Sequence, residues 1–338
     1  MSDKPFTFLP LGALIKEFKI DGKNIVLNFH NEEQYKKYNA PFFGETIGRV
    51  ANRISGAKIN SLNGKSYQLA DNNNGNALHG GPNGWGKLAF EGPIPVESDG
   101  PEKEKVLFKY TSPDGDEGYP GTVELKVWYT QWTEKSDGRN VVVLDIEYEA
   151  QLVGDEDVQE TVINVTNHSY FNLTDGPTIE GTDVTLATSK YQVVDNLGIP
   201  IGPIDDYPGI KGKEPFNLGP QEPDIDDCFV LNTDPSSVPI DTRPLPLQEL
   251  IYAHCPATDI NLEVLSTEPA FQFYTGRFIE TQAVDDLPAR GKRAGFCLEP
   301  SRYVNAVNVE EYKSMVLLKR GEKYGSRIVY RGWKGGKK

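Results

Sequence analysis

Apolar and polar residues alternate without a break along residues 144–152 (LDIEYEAQL). Leu144, Ile146, Tyr148, Ala150 and Leu152 therefore share one side, and Asp145, Glu147, Glu149 and Gln151 share the other. A period of two belongs to a strand with one face on a core and the other toward water, as in an antiparallel sheet. Val123, Leu125, Val127 and Tyr129 repeat the pattern against Glu124 and Lys126, and the runs Val106, Phe108, Tyr110 and Ile260, Leu262, Val264 repeat it more briefly. Further β-rich runs lie at 183–194, 270–278, 295–298 and 327–333. Turn signals separate these runs: Asp21-Gly22, Asn63-Gly64, SPDG at 112–115, GYPG at 118–121 and Asp137-Gly138.

Helical periodicity is confined to 32–38 and 309–313, a turn or two each. The Pro-rich stretch 199–223 reads as a long irregular surface excursion, and residues 334–338 as a frayed end. No repeat and no linker divides the chain. The expectation is an all-β protein: one large antiparallel β-sandwich domain spanning 1–338, with very little helix.

Composition narrows the function classes. The chain has 338 residues, of which 38% are hydrophobic and 10% aromatic, enough for a buried core. Its formal net charge of −14 is spread along the sequence, which disfavours nucleic acid and anionic membrane surfaces as partners. The first ten residues lack a basic start followed by an apolar run, and no apolar stretch reaches the roughly 18 residues of a membrane-spanning helix. Cys228, Cys255 and Cys297 are odd in number and far apart, unlike a disulfide framework or a CxxC metal site. Three N-x-[ST] triplets at Asn164, Asn167 and Asn172 crowd into an apparent strand, where glycans would ruin the packing. A cytoplasmic setting is expected.

The candidate chemistry begins with four histidines: His30, His79, His168 and His254. His79 lies in ALHGG (77–81), whose glycines permit a sharp turn and close approach of a ligand. His168 lies in VTNHSYFNL (165–173), where polar side chains occupy both faces of the expected strand. Such groups are costly to bury unless they are paired or face a wet cleft. His30 and His254 read as surface or hydrogen-bonded structural residues. In GRVANRI (48–54), Arg49 and Arg53 share a face, and Arg53 beside Asn52 offers a fork of donors suited to hydroxyls. In DIDDCF (224–229), three carboxylates stand together without EF-hand spacing. In FQFYTG (271–276), Gln272 and Tyr274 share a face. In GFCLEPSR (295–302), Glu299 ends an apolar strand; a partly desolvated carboxylate there has a raised pKa and is a better base. The alternative for Glu299 is an edge carboxylate paired with Arg302.

GRVANRI, LHGG, SPDG with EGYPG, TNHSYFNL, QFYTG and CLE, in that order, resemble the aldose 1-epimerases, or galactose mutarotases, from about Leu11 to Tyr330. The resemblance implies a large antiparallel β-supersandwich with a sugar in an open cleft. It also implies Glu299 as base, His168 as the acid that protonates the ring oxygen, and His79 as a second active-site histidine. Asn52, Arg53, Asp226 and Gln272 match its sugar-binding positions. Many members read Thr-Gln after the Glu and then Pro-Asp-Ala, where this chain has Pro300-Ser301 and Val304-Asn305-Ala306. The usual Asp-His-Asn-Phe is Asp226-Asp227-Cys228-Phe229 here. Both departures bear on substrate preference more than on reaction type.

The implied reaction interconverts the α and β anomers of a free monosaccharide by acid–base ring opening, with His168 as imidazolium, and needs neither cofactor nor metal. The competing readings are a glycoside hydrolase using Glu299 with Asp226, a carbohydrate-binding or sugar-sensing protein without turnover, and a hexose-6-phosphate epimerase. No basic cluster for a phosphate and no HxH or HxxxH metal spacing stands beside these motifs. Oligomeric state is not legible in the sequence.

Overall fold

The computed structural model describes residues 4–338. Two antiparallel sheets dominate it. One has nine strands in the order Pro215–Leu218, Thr182–Leu186, Gln248–Cys255, Ile260–Ser266, Tyr324–Lys334, Arg139–Leu152, Val123–Ser136, Glu104–Ser112 and Glu91–Val96. The other has six, in the order Tyr170–Phe171, Phe296–Ser301, Ala270–Tyr274, Asp226–Val230, Lys190–Val194 and Pro200–Asp206.

The alternating residues do what their period demands. Val123, Leu125, Val127, Tyr129, Leu144, Ile146 and Tyr148 are wholly buried, and they share one core with Phe229, Phe271, Phe273, Phe296 and Leu298 of the six-stranded sheet. Aromatic contacts tie the layers: Phe171 meets Tyr330 edge-on at 5.3 Å, and Phe273 meets Phe216 at 6.5 Å. Each such side chain contributes about 1.5–3 kcal/mol by leaving water.

Four expectations are revised. The polar side of Arg139–Leu152 does not face open water, because this strand lies in the middle of the sheet and longer side chains cover it. Asp145 is gripped by Arg327 and Glu149 by Arg243 at 2.8 Å, so both carboxylates are buried as ion pairs. The Pro-rich excursion contains two strands, Pro200–Asp206 and Pro215–Leu218, each at the edge of a sheet. Proline has no N–H to donate, and at an edge none is needed. Glu32–Tyr38 is helical, capped by Asn31 accepting from the Gln34 N–H at 3.1 Å, whereas 309–313 gives way to 3₁₀ turns at Ala306–Asn308 and Lys313–Met315. Neither of these turns has a side-chain cap, and a single turn does not sustain a helix. Past Lys334 the end of the chain lies back on the sheet, with Gly335 N–H donating to Asp259 O at 2.9 Å and Lys337 paired to Asp183 at 3.2 Å.

Asn164 and Asn167 of the N-x-[ST] triplets are buried. No helix among the described residues is long and apolar enough to cross a membrane.

Arg302 pairs with Glu268 at 3.0 Å, both side chains fully buried, and also donates to Ile240 O at 3.1 Å. Removing one member strands the other charge in the core. Arg302→Met is expected to cost about 3–5 kcal/mol, measured by urea unfolding, and the double variant Glu268→Leu/Arg302→Met to recover much of that loss.

Candidate active site

The six-stranded sheet has two chemically different faces because its strands alternate. Phe271, Phe273, Phe296, Leu298 and Phe229 fill the core side. The register pairs Cys228 with Gln272 and Gln272 with Glu299; one step along, it pairs Asp226 with Tyr274, Tyr274 with Cys297 and Cys297 with Tyr170. Side chains in rows two residues apart point the same way, so these groups together pave the other face. Glu299 and Gln272 are each only 4% exposed. Gln272 Nε2 donates to Asp226 Oδ1 at 2.8 Å, while Gln272 Oε1 and Glu299 Oε2 have no hydrogen-bond partner. A buried polar atom left unmatched costs about 1–3 kcal/mol, so two side by side mark a surface shaped for hydroxyl groups.

The loops supply the roof. His168 follows the short strand Thr166–Asn167, and its backbone is held by Glu45 O at 2.9 Å and by Gly44 N–H at 3.0 Å. That clamp aims its ring at Glu299, with Nε2 3.5 Å from Oε1. His79 adopts a left-handed backbone (φ 52°) and is tied to Asn52 twice. Its N–H donates to Asn52 O at 3.0 Å, and the Asn52 N–H donates to His79 Nδ1 at 3.2 Å. Gly80, at φ 82°, makes the turn possible, since a Cβ there would lie 2.0 Å from Gly48 O. The two imidazoles meet edge-to-face at 5.1 Å, and Phe42 touches both, at 5.0 Å from His79 and 5.6 Å from His168.

Burial sets the protonation. It pushes the Glu299 carboxyl up to about 8, helped by the charge of Asp226 and opposed by Arg53. It pushes His168 down to about 3, with Lys87 adding to the effect. His79 also falls well below the ordinary imidazole value, chiefly through burial. At neutral pH the proton of the His168–Glu299 pair therefore rests on the carboxyl. The raised Glu299 pKa matches expectation, whereas the imidazolium expected at His168 is the minor form, because a charged ring loses too much solvation here.

His79, His168 and Glu299 each bring a ligand atom within 4.8 Å of the others, a convergence that chain spacing concealed. The set does not suit a divalent cation. The Asn52 N–H occupies the lone pair of His79 Nδ1, so neutral His79 carries its proton on Nε2 and has no free lone pair to give.

The other candidate residues fall out as follows. Arg53 donates from Nε to Asn73 Oδ1 at 3.1 Å and from Nη1 to Asn52 Oδ1 at 3.2 Å, and the turn at Gly198 packs on its guanidinium. Arg49 does not share its face. It is buried and donates to Pro120 O and Gly121 O, both at 2.9 Å, and to Ser112 Oγ at 2.6 Å, knitting loops together. Arg302 is occupied by Glu268, so Glu299 has no arginine partner there. His30 pairs with Asp286 at the surface and His254 with Asp259 at 3.3 Å. Of the unusual residues, Cys228 lies on the paved face, while Asp227 points to the other side beside Tyr207. Sequence reasoning missed Phe42, Glu45, Lys87 and Cys297. Lys87 pairs with buried Glu45 at 2.6 Å and lies 4.4 Å above the Phe42 ring, bracing it. Nothing in the pattern around Phe42 distinguishes it from a core aromatic, but Cys297 is betrayed by its alternation with Glu299.

Residues 5–331 match the model of the aldose 1-epimerase family. The chain is 40% identical to the bifunctional protein GAL10 of Pachysolen tannophilus over 323 residues, covering 95% of this chain and 44% of that protein. It thus spans less than half the length of that relative, and the same holds for the matching bifunctional proteins of Schizosaccharomyces pombe and Kluyveromyces lactis. It is 36% identical to the galactose mutarotase of Homo sapiens over 320 residues, covering 92% of this chain and 84% of that one. Among solved structures, the GalM/aldose epimerase homologue from C. elegans superposes with a TM-score of 0.80 at 25% identity, over 98% of this chain and 96% of that one. Galactose 1-epimerase from Lactobacillus acidophilus shares the fold, with a TM-score of 0.77 at 22% identity over 98% and 91% of the two chains. Fold and sequence agree: the chain belongs to the aldose 1-epimerase family.

Proposed function

We propose that this chain interconverts the α and β anomers of free aldohexoses of the glucose and galactose class, in the cytoplasm, with Glu299 and His168 as the proton-transfer pair. The observation that carries the reading is the desolvated contact between His168 Nε2 and Glu299 Oε1 at 3.5 Å, beside the unmatched oxygens of Glu299 and Gln272.

Anomer exchange needs a proton to leave the C1 hydroxyl while another reaches the ring oxygen. The pair holds one proton for this purpose. Passed from carboxyl to imidazole, it leaves a carboxylate and an imidazolium facing the sugar. Glu299 then takes the O1 proton, His168 Nε2 gives its proton to the ring oxygen, and the bond between C1 and that oxygen breaks. After rotation about C1–C2 both transfers reverse and the ring closes on the other face. No atom or electron is gained or lost, and the pair ends as it began. His79, whose Nε2–H is free to donate, steadies the sugar, while Asn52, Arg53, Asp226 and Gln272 hold its remaining hydroxyls. Phe42 offers the apolar surface.

The first test is exchange of freshly dissolved α-galactose followed by polarimetry or NMR. Glu299→Gln and His168→Ala should each slow it about 10²–10⁴-fold with the fold retained. Release of reducing sugar from aryl glycosides instead would replace this reading with a hydrolase.

Two pH effects follow. The native Glu299 keeps its proton to about 8, against 4.5 for an ordinary glutamate, so its contribution to stability is full below 4.5 and lost as pH rises through about 8. Glu299→Gln removes that loss, and its melting temperature should gain on the wild type progressively from pH 5 to pH 8. The working pair loses its only proton above about 8, so kcat/KM should be level between about pH 5 and 7 and fall beyond about 8. An acid limb near 4.5 would show that the pair does not share a proton.

A further inference from the structure

The imidazole of His168 is held at both nitrogens by one strand. Nε2 faces Glu299 Oε1 at 3.5 Å and Nδ1 faces Cys297 Sγ at 3.5 Å, the upper limit for a hydrogen bond to oxygen but an ordinary distance to sulfur. Cys297 and Glu299 stand two residues apart on Phe296–Ser301 and point to the same face. A strand advances about 3.3 Å per residue, so two side chains two residues apart on one face are close enough for a single imidazole to lie against both. Cys297 has no exposure at all. It is walled in by Tyr170 and Tyr274, and charged or titratable groups around the cluster include His79, Glu299, Asp226, Lys87 and Tyr330.

We infer that Cys297 is a positioning residue: its sulfur accepts the His168 Nδ1–H, fixing the tautomer that leaves the Nε2 lone pair toward the Glu299 carboxyl. The inference rests on the acid–base reading above. Which ring nitrogen carries the proton is set by the partner of the other. In the opposite tautomer Nε2 already bears hydrogen, cannot receive the carboxyl proton and cannot take back the proton of the open-chain hydroxyl. A sulfur acceptor suits the task better than a carboxylate, since a negative charge at Nδ1 would stabilise the imidazolium and blunt its acidity. The thiol remains protonated throughout and changes no bond; Nδ1–H stays in place while a single proton moves between the carboxyl, Nε2 and the sugar oxygens. Buried sulfur in an active site is here a neutral rest for a ring that must change charge.

The test joins nitrogen NMR of His168 in ¹⁵N-histidine-labelled protein with steady-state kinetics of anomer exchange. At neutral pH the wild type should show Nδ1 protonated and Nε2 bare. Cys297→Ala should shift the ring toward the Nε2–H form and lower kcat about tenfold, the weight of one hydrogen bond to a group that becomes charged, with KM within about twofold. Cys297→Ser, whose hydroxyl oxygen can accept the same hydrogen, should keep the Nδ1–H tautomer and most of the rate. The S–H stretching band assigned by its loss in Cys297→Ala should move in His168→Ala. A wild-type ring protonated on Nε2, a serine variant as slow as the alanine one, or an alanine variant with unchanged tautomer and kcat would each overturn the inference. A wild type that does not accelerate anomer exchange would sink the acid–base reading instead, and the nitrogen shifts would still decide the role of the sulfur.

Discussion

The whole arrangement depends on keeping a carboxylic acid and an imidazole dry and in contact. Glu299 and His168 are 4% and 3% exposed, and the charge of Arg53 only partly offsets the burial of the carboxyl. In water, the pair would sit near its ordinary pKa values, with the acid always ionised and the base partly charged. Burial inverts this by penalising both charged forms, which leaves the pair with one proton that rests on the carboxyl. A protein stabilises such a cluster only if the surrounding scaffold is rigid enough to forbid its collapse or hydration.

The rigidity comes from both sides of the cluster. Below it, the phenylalanines on the core face of the six-stranded sheet lock the strands whose opposite face carries Glu299, Gln272 and Asp226. Above it, the loops are fixed by buried polar side chains rather than by apolar packing. Arg49 gathers several carbonyl and hydroxyl oxygens, the Lys87–Glu45 pair props Phe42, and the Asn52–His79 hydrogen bonds close the turn. Unmatched oxygens on Glu299 and Gln272 remain as the destabilising residue of function, the usual sign of a site built for a ligand rather than for the fold.

The departures from the family pattern acquire meaning only in three dimensions. Asp227 and Cys228 are neighbours in sequence but lie on opposite faces of one strand, so Cys228 alone joins the row of Gln272 and Glu299. Pro300 pairs with Phe271 on the core side, whereas Ser301 opposes Ala270 at the end of the strand. Of the altered residues, Cys228 is therefore the one that lies beside the unmatched oxygens of that row.

Much of this was legible before any coordinates. Period-two alternation foretold the antiparallel sheets, since side chains on a strand have only two directions, and the failure of alternation around His168 exposed a polar strand whose side chains had to be paired or to face a cleft. The motifs named Glu299, His79, Asn52 and Gln272 by type and order. What local pattern cannot contain is contact between distant segments. Only the packed fold could show that Arg49 turns away from Arg53, that Arg302 belongs to Glu268, that prolines sit in edge strands, and that Phe42 and Cys297 touch His168. Those facts arise from register and burial, which depend on residues far apart in the chain, and it is burial that decides where the proton rests.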